Sequence, residues 1–364
     1  MILMHEIITT VGPSSATSKT LIDLRESGAT DFRVNLSHST KATLESHIDL
    51  LRGLDLPVSL DTQGAQLRVA AINGPCSFSA NDTFNLYSPT VDAKHINCER
   101  YLIINHEEFF DQAIEGDILK IDFDGITAQI KTLSTDDHLA CCEVLRPGNV
   151  ILNRALDIVG RPFKLEFITQ FDYASITSFV PYDLKTIYLS FASSGQDVDK
   201  LHGIINKSLP PGAHKPRIIS KIESKNGLLN LREIAEKSDG ILIDRGDLSR
   251  EISISRIPLA TNSILNACLS MDTPCYVATN ILDSMMSAQL PSRAEISDLF
   301  NLFSAGVSGI VLAAEVAIGS HPVESVKVVK HMSKIYQCNK DNTLPFLPET
   351  NMFSDLDEPL SSWL

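Results

Sequence analysis

The sequence predicts an α/β fold, a (β/α)8 TIM barrel with a small all-β lid domain inserted after the third strand. Three observations carry that prediction. Short β-branched runs alternate with stretches of helical spacing through most of the 364 residues. Between residues 69 and 158 the alternation stops, and only strand-like runs and turn signals remain. Outside that stretch eight strand segments can be counted, the number that closes a barrel, and most of them end in polar residues. An open doubly wound sheet is the alternative, but polar groups at so many strand ends suit a barrel's catalytic face better.

Residues 6–11 (EIITTV) are the first strand, closed by Gly12–Pro13, and Ser14, Ser15 or Thr17 caps a helix that Gly28 ends. Residues 30–36 (TDFRVNL) form the second strand, 40–52 a helix, and 57–62 (PVSLDT) the third strand. The insertion follows. Its runs at 117–123 and 126–133 flank Asp124–Gly125, a hairpin signal, and Arg146–Pro147–Gly148 closes a further run at 142–145. After Gly160 the rhythm returns, with a helical turn at 171–178, a strand at 186–192 and a helix at 198–209. A strand at 217–222, a helix at 228–237 and a strand at 240–243 come next. Helices at 258–271, 293–305 and 323–335 then alternate with strands at 274–279 and 309–314. The expected domains are therefore 1–68 and 159–338 for the barrel, 69–158 for the lid, and a surface tail at 339–364.

Composition narrows the function. The chain is 43% hydrophobic and 21% charged, an ordinary globular balance. A net charge of -14 argues against a general nucleic-acid binder, so any phosphate site must be local, built from a few Arg and Lys. The start MILMHEIITT has no signal-peptide character and no stretch is long enough to span a membrane, which points to a cytoplasmic protein with no membrane partner. The seven cysteines are odd in number, include the adjacent Cys141–Cys142 and form no CxxC, so reduced thiols are expected rather than a disulfide framework or zinc site.

The chemistry concentrates in residues 217–247. A right-handed strand–helix–strand unit there leaves both strand ends facing the same way. Lys221 and Glu223 are two apart and share a face; Glu223 and Asp247 could grip one hard divalent cation with Lys221 beside it. A structural salt-bridge cluster is the competing reading. Other strand ends add Arg33, Asn35 and Ser37, then Asp61 and Thr62, then Ser190 and Thr279. Oxygen ligands beside an Arg and a Lys suit a cation next to a phosphate, and can neutralise charge in phosphoryl transfer or on an enolate.

These stretches resemble the pyruvate kinase family. The resemblance rests on TTVGPSS (9–15), FRVNLSHST (32–40), LDTQG (60–64), IISKIESKNGLLNLREI (218–234), SDGILIDRGDLSREI (238–252), PCYVATNILDSMM (274–286) and PSRAEISDL (291–299), in family order. In the insertion, GDILKIDFDGIT (116–127) is similar to the family's lid. The resemblance implies phosphoryl transfer between phosphoenolpyruvate and ADP, giving pyruvate and ATP, with Mg²⁺ or Mn²⁺ and often K⁺. Carried over, Lys221 would stabilise the transferring phosphoryl group and the enolate, and Arg33 would contact the phosphoryl group. Glu223 and Asp247 would hold the divalent cation, while Gly246, Asp247 and Thr279 would line the substrate. Asn35, Ser37, Asp61 and Thr62 would form the monovalent-cation shell, and Asn35, His38, Arg68 and Arg154 the nucleotide contacts.

The departures are specific. The family's Lys-Gly-Pro-Glu becomes Gln63–Gly64–Ala65–Gln66, and the small residue before Arg245 becomes Asp244. Ser-Gly-Glu-Thr becomes Ala313–Ala314–Glu315–Val316, and the lid run Lys-Gly-Val-Asn-Leu-Pro becomes residues 154–159. The family's C-terminal regulatory domain is not matched, so effector control and the usual tetramer are not expected; a homodimer through the barrel helices near Arg293 stays open. Two other readings stand beside the kinase: nucleotide-independent enolate chemistry on a 2-keto acid, of decarboxylase or lyase type, and a non-catalytic phosphoenolpyruvate sensor motivated by Asp244 and Ala313.

Overall fold

Strands buried on both faces must be apolar almost throughout, and the runs that satisfy this pair into a closed, all-parallel barrel. The computed structural model describes residues 5–339, apart from 65, 93, 95, 123–124 and 161–164. The chain divides into two units, Met1–Gly64 with Phe167–Leu364, and Ala65–Glu166. In chain order the strands of the first unit begin with β1 (Glu6–Val11), β2 (Asp31–Asn35) and β3 (Val58–Asp61). The second unit contributes β4 (Val69–Asn73), β5 (Ser77–Phe78), β6 (Thr83–Tyr87), β7 (Tyr101–Ile104) and β8 (Ile118–Ile121). It continues with β9 (Ile126–Ser134), β10 (Leu139–Arg146), β11 (Gly148–Asn149) and β12 (Leu156–Ile158). The first unit then resumes with β13 (Thr186–Leu189), β14 (Arg217–Ile222), β15 (Gly240–Asp244), β16 (Cys275–Ala278) and β17 (Gly309–Leu312).

Around the barrel the order is β1-β17-β16-β15-β14-β13-β3-β2. Its interior is packed with Ile8, Tyr188, Ile219, Leu242, Tyr276, Ala278 and Val311, while the outward residues join the helices in one continuous core. At the N-terminal end Arg217 pairs with Glu6 (3.1 Å), and Tyr276 donates to the same carboxylate (2.8 Å). Higher up, the buried Asp31 carboxylate accepts from Ser59 (2.8 Å) and Tyr188 (3.0 Å); burial raises its pKa despite these donors.

Helix starts follow their caps. Thr17, Thr40, Thr169, Ser194, Ser224 and Ser292 each accept a hydrogen bond from the first turn of the helix they open. The single helix expected over 228–237 is instead two short ones, Lys225–Leu229 and Leu231–Ala235. Asn230 breaks between them because its amide donates to Ser193 O (2.7 Å). Two short helices that periodicity did not reveal, Arg245–Glu251 and Ala314–Ala317, begin directly at strand ends. The last one shortens the strand expected over 309–314.

The second unit is a mixed sheet of order β12-β8-β9-β10-β6-β7-β4 with a separate β11-β5 pair. β8 and β9 pair antiparallel, with Ile121 opposite Ile126; Asp124 of the expected hairpin turn lies outside the described residues. Among the described residues the unit's one α-helix is the five-residue Glu108–Gln112, whose Phe109 and Phe110 are buried in the sheet's core. That core already includes Leu67, and Arg68 bridges Ala155, so the unit begins ahead of residue 69. All seven cysteines are free thiols. Among the described residues no helix is long and apolar enough to cross a membrane. Beyond residue 339 the expected tail lies outside the described residues.

Candidate functional site

The C-terminal ends of β2, β3, β13, β14, β15 and β16 bring most of the expected residues of the first unit together. Inward alternation from Ile219 carries Lys221 and then Glu223 to the top of the barrel, and alternation from Leu242 does the same for Asp244. Lys221 Nζ lies 2.8 Å from Glu223 Oε1, 3.3 Å from Asp61 Oδ1 and 3.5 Å from Asp244 Oδ2, and donates to Ser190 Oγ at 3.2 Å. Only 6% of Lys221 is exposed. Such burial by itself would push its pKa down, but the three carboxylates prevail and keep it raised, so the side chain is a fixed ammonium.

Arg33 sits beside this cluster. Its Nε and Nη2 donate to Thr10 Oγ1 (3.2 and 2.9 Å), and its Nη1 meets Asp61 Oδ2 at 3.1 Å. Arg33 Nη1 is buried and makes that ion pair without donating a hydrogen bond. Glu223 Oε2 accepts from Phe191 N at 2.6 Å, which requires Phe191 to hold a left-handed φ of 53°. Glu223 Oε1 faces the Lys221 ammonium but accepts no hydrogen bond. Burial raises the Glu223 pKa to about 8, with Lys221 pulling the other way.

Asp244, at the position where the family carries a small residue, does not pair with Arg245. Its Oδ1 accepts from Thr279 Oγ1 (2.7 Å) and its Oδ2 faces Lys221. Burial works to raise its pKa, but Lys221 and the Thr279 hydroxyl outweigh burial and lower it. Arg245 is committed elsewhere, donating to Thr279 O (3.0 Å) and Asn280 O (2.9 Å) and pairing with Asp298 (2.8 Å). Those bonds hold Thr279 and Asn280 at φ 71° and 54°, conformations that cost non-glycine residues about 1–3 kcal/mol each. Gly246 packs against this corner so closely that a Cβ would lie 2.7 Å from Thr279 Cγ2.

One oxygen each of Glu223, Asp244 and Asp247 lies within 4.8 Å of the others. Arg33 and Lys221, with Arg250 3.9 Å from Asp247, therefore face the carboxylates of Asp61, Glu223, Asp244 and Asp247, an excess of one negative charge when all are ionised. Hard oxygen donors with that imbalance fit a divalent cation. The other expected ligands are more occupied. Asn35 Oδ1 caps Ser37 N (2.8 Å), Thr62 Oγ1 accepts from Ser190 N (2.9 Å), and Asp61 is engaged by Arg33 and Lys221. His38 is exposed at the end of the turn Leu36–His38. Arg68 and Arg154 belong to the second unit, where Arg68 donates to Asn153 O (3.0 Å) and Arg154 meets Asp122 at 3.4 Å.

Sequence reasoning did not find Asp172. Its buried carboxylate accepts from Gln63 N (2.7 Å) and Gly64 N (3.1 Å), fixing the segment just after Asp61 and Thr62. The signal was present as the Thr169-x-x-Asp172 capping box.

A family profile for the pyruvate kinase barrel domain matches residues 3–326. The chloroplastic pyruvate kinase isozyme G of Nicotiana tabacum is 30% identical over 331 residues, 89% of this chain and 57% of that protein. The pyruvate kinase of Chlamydia trachomatis serovar D is 31% identical over 336 residues, 91% of this chain and 68% of the relative. This chain thus spans a little over half to about two thirds of these relatives' length. In fold it is similar to the crystal structure of a pyruvate kinase from Cryptosporidium parvum, with a TM-score of 0.78 and 24% identity, covering 95% of this chain and 73% of that one.

Proposed function

This chain belongs to the pyruvate kinase family, and from that premise we propose that it transfers a phosphoryl group between phosphoenolpyruvate and ADP. The observation that carries the reading is the buried Lys221 ammonium beside Arg33 at the strand ends, inside a ring of carboxylates. A lysine kept charged at this depth is a preorganised donor for charge developing on an enolate or a phosphoryl oxygen. Arg33 Nη1, with no hydrogen bond of its own, is the second donor, suited to the phosphoryl group. On the family resemblance, the backbone at Gly246 and the Thr279 hydroxyl would hold the substrate's carboxylate end.

Glu223 and Asp247 would hold Mg²⁺ or Mn²⁺, which when bound supplies positive charge for the phosphoryl oxygens. We assign K⁺ to Asn35, Ser37, Asp61 and Thr62, and nucleotide contacts to Asn35 and His38, on the family resemblance. The test is a coupled assay of pyruvate formation from phosphoenolpyruvate and ADP, with Mg²⁺ or Mn²⁺, with and without K⁺. Lys221→Met is expected to lower kcat by at least about a hundredfold. Full activity in that variant refutes the assignment. Asp244 favours a second reading, a non-catalytic phosphoenolpyruvate sensor, because its carboxylate occupies Lys221 and Thr279. Metal-dependent binding of phosphoenolpyruvate without turnover would support it.

A further inference from the structure

We propose that Asp244 is a third carboxylate of the divalent-cation site and that it couples cation binding to anion binding. The inference rests on the assignment of Glu223 and Asp247 as cation ligands. An incoming anion has three donors to use: Lys221 Nζ, Arg33 Nη1 and the Thr279 hydroxyl. Asp244 occupies two of them, facing Lys221 at 3.5 Å and taking the Thr279 proton at 2.7 Å. It also adds one negative charge to a pocket that already holds Asp61, Glu223 and Asp247. Without a cation, an anion must therefore displace a buried carboxylate from both donors against an excess of like charge.

The same carboxylate lies within 4.8 Å of oxygens of Glu223 and Asp247. Glu223 Oε1 is buried and faces the Lys221 ammonium at 2.8 Å, so a cation at that spot would share this oxygen with Lys221. A cation held by the three carboxylates offsets that excess and takes up the charge of Asp244. Lys221 and the Thr279 hydroxyl are then left to the anion. One side chain thus acts as a ligand in the loaded site and as a competing anion in the empty one. Ligand charge sets affinity in hard-cation sites, so a third carboxylate also tightens the cation.

The two roles predict effects of opposite sign, which a purely structural residue would not produce. Titration calorimetry on the full chain would measure Mn²⁺ alone, phosphoenolpyruvate alone with chelator, and phosphoenolpyruvate with saturating Mn²⁺. In Asp244→Ala the Mn²⁺ affinity is expected to fall by about tenfold or more, the scale of losing an oriented group from a metal site. In the same variant the affinity for phosphoenolpyruvate without metal should rise. Asp244→Asn keeps the volume and an acceptor for Thr279, so the same pair of changes there traces them to the charge. Unchanged Mn²⁺ affinity in both variants, or a fall of both affinities together, overturns the proposal. Glu223→Gln separates the two layers. If it leaves Mn²⁺ affinity unchanged, the cation assignment itself fails; if it weakens Mn²⁺ while Asp244→Ala does not, only the role of Asp244 fails.

Discussion

Gly246→Ala offers a test of the strand-end geometry that needs no substrate. Gly246 is the second residue of the helix Arg245–Glu251, and its φ is not in the left-handed region. On helix propensity alone an alanine there should stabilise by about 0.5–1 kcal/mol. The structure predicts the opposite sign. The new Cβ would lie 2.7 Å from Thr279 Cγ2, well inside the roughly 3.5–4.0 Å of a carbon–carbon contact. Thr279 cannot swing away freely, because its carbonyl is held by Arg245 and its hydroxyl by Asp244. Overpacking of this kind costs about 1–3 kcal/mol, so a net loss of about 0.5–2 kcal/mol is expected. That is a shift of about 2–4 °C in Tm per kcal/mol for a unit of this size. Thr279→Ser removes Cγ2 and keeps the hydroxyl. In that background Gly246→Ala should become neutral or stabilising, a coupling of about 1–3 kcal/mol. Urea unfolding of the four proteins by circular dichroism, compared at constant m, measures it. If the cost of Gly246→Ala is the same in both backgrounds within about 0.5 kcal/mol, the clash is not its cause.

Two further outcomes follow from buried carboxylates. Glu6 is partly buried, which works against its charge, but Arg217 and Tyr276 lower its pKa. Its share of stability is thus present above its unfolded pKa of about 4.3 and is lost as pH falls through the lower folded value. Glu6→Gln should flatten the decline of Tm between about pH 5 and 3; an unchanged slope would show that this pair does not drive acid unfolding. Asp172→Ala should orphan the N–H groups of Gln63, Gly64 and Thr169, at about 1–3 kcal/mol. Amide exchange at Gln63 and Gly64 should speed up in that variant, and unchanged protection would mean that water or another acceptor replaces the carboxylate.

Local pattern was enough for the barrel because its strands are short, apolar on both faces and separated by capped helices. Each of the eight expected strands overlaps a barrel strand. The end positions slipped where a polar side chain competed with the backbone, as at Asn35, which caps the turn Leu36–His38, and at Asn230. The site was partly legible in the same way. A period of two shows that Lys221 and Glu223 share a face, and the same rule places Asp244 with the inward Leu242. It does not say which group an inward side chain will meet.

By itself, then, the order of residues determined the barrel, the interrupting β unit, the family and the cluster of polar strand ends. Hydrophobic periodicity and caps act over a few residues and are written in the chain. Only the tertiary structure decided the wiring: Lys221 against Asp61 and Asp244, Arg33 on Thr10 and Asp61, Asp172 under Gln63 and Gly64, and Asp244 turned from Arg245 to Lys221 and Thr279. Those partners come from strands and helices far apart in sequence. Charge pairing depends on the ångström distances at which neighbouring strands deliver their side chains to the barrel axis, and no local period encodes them.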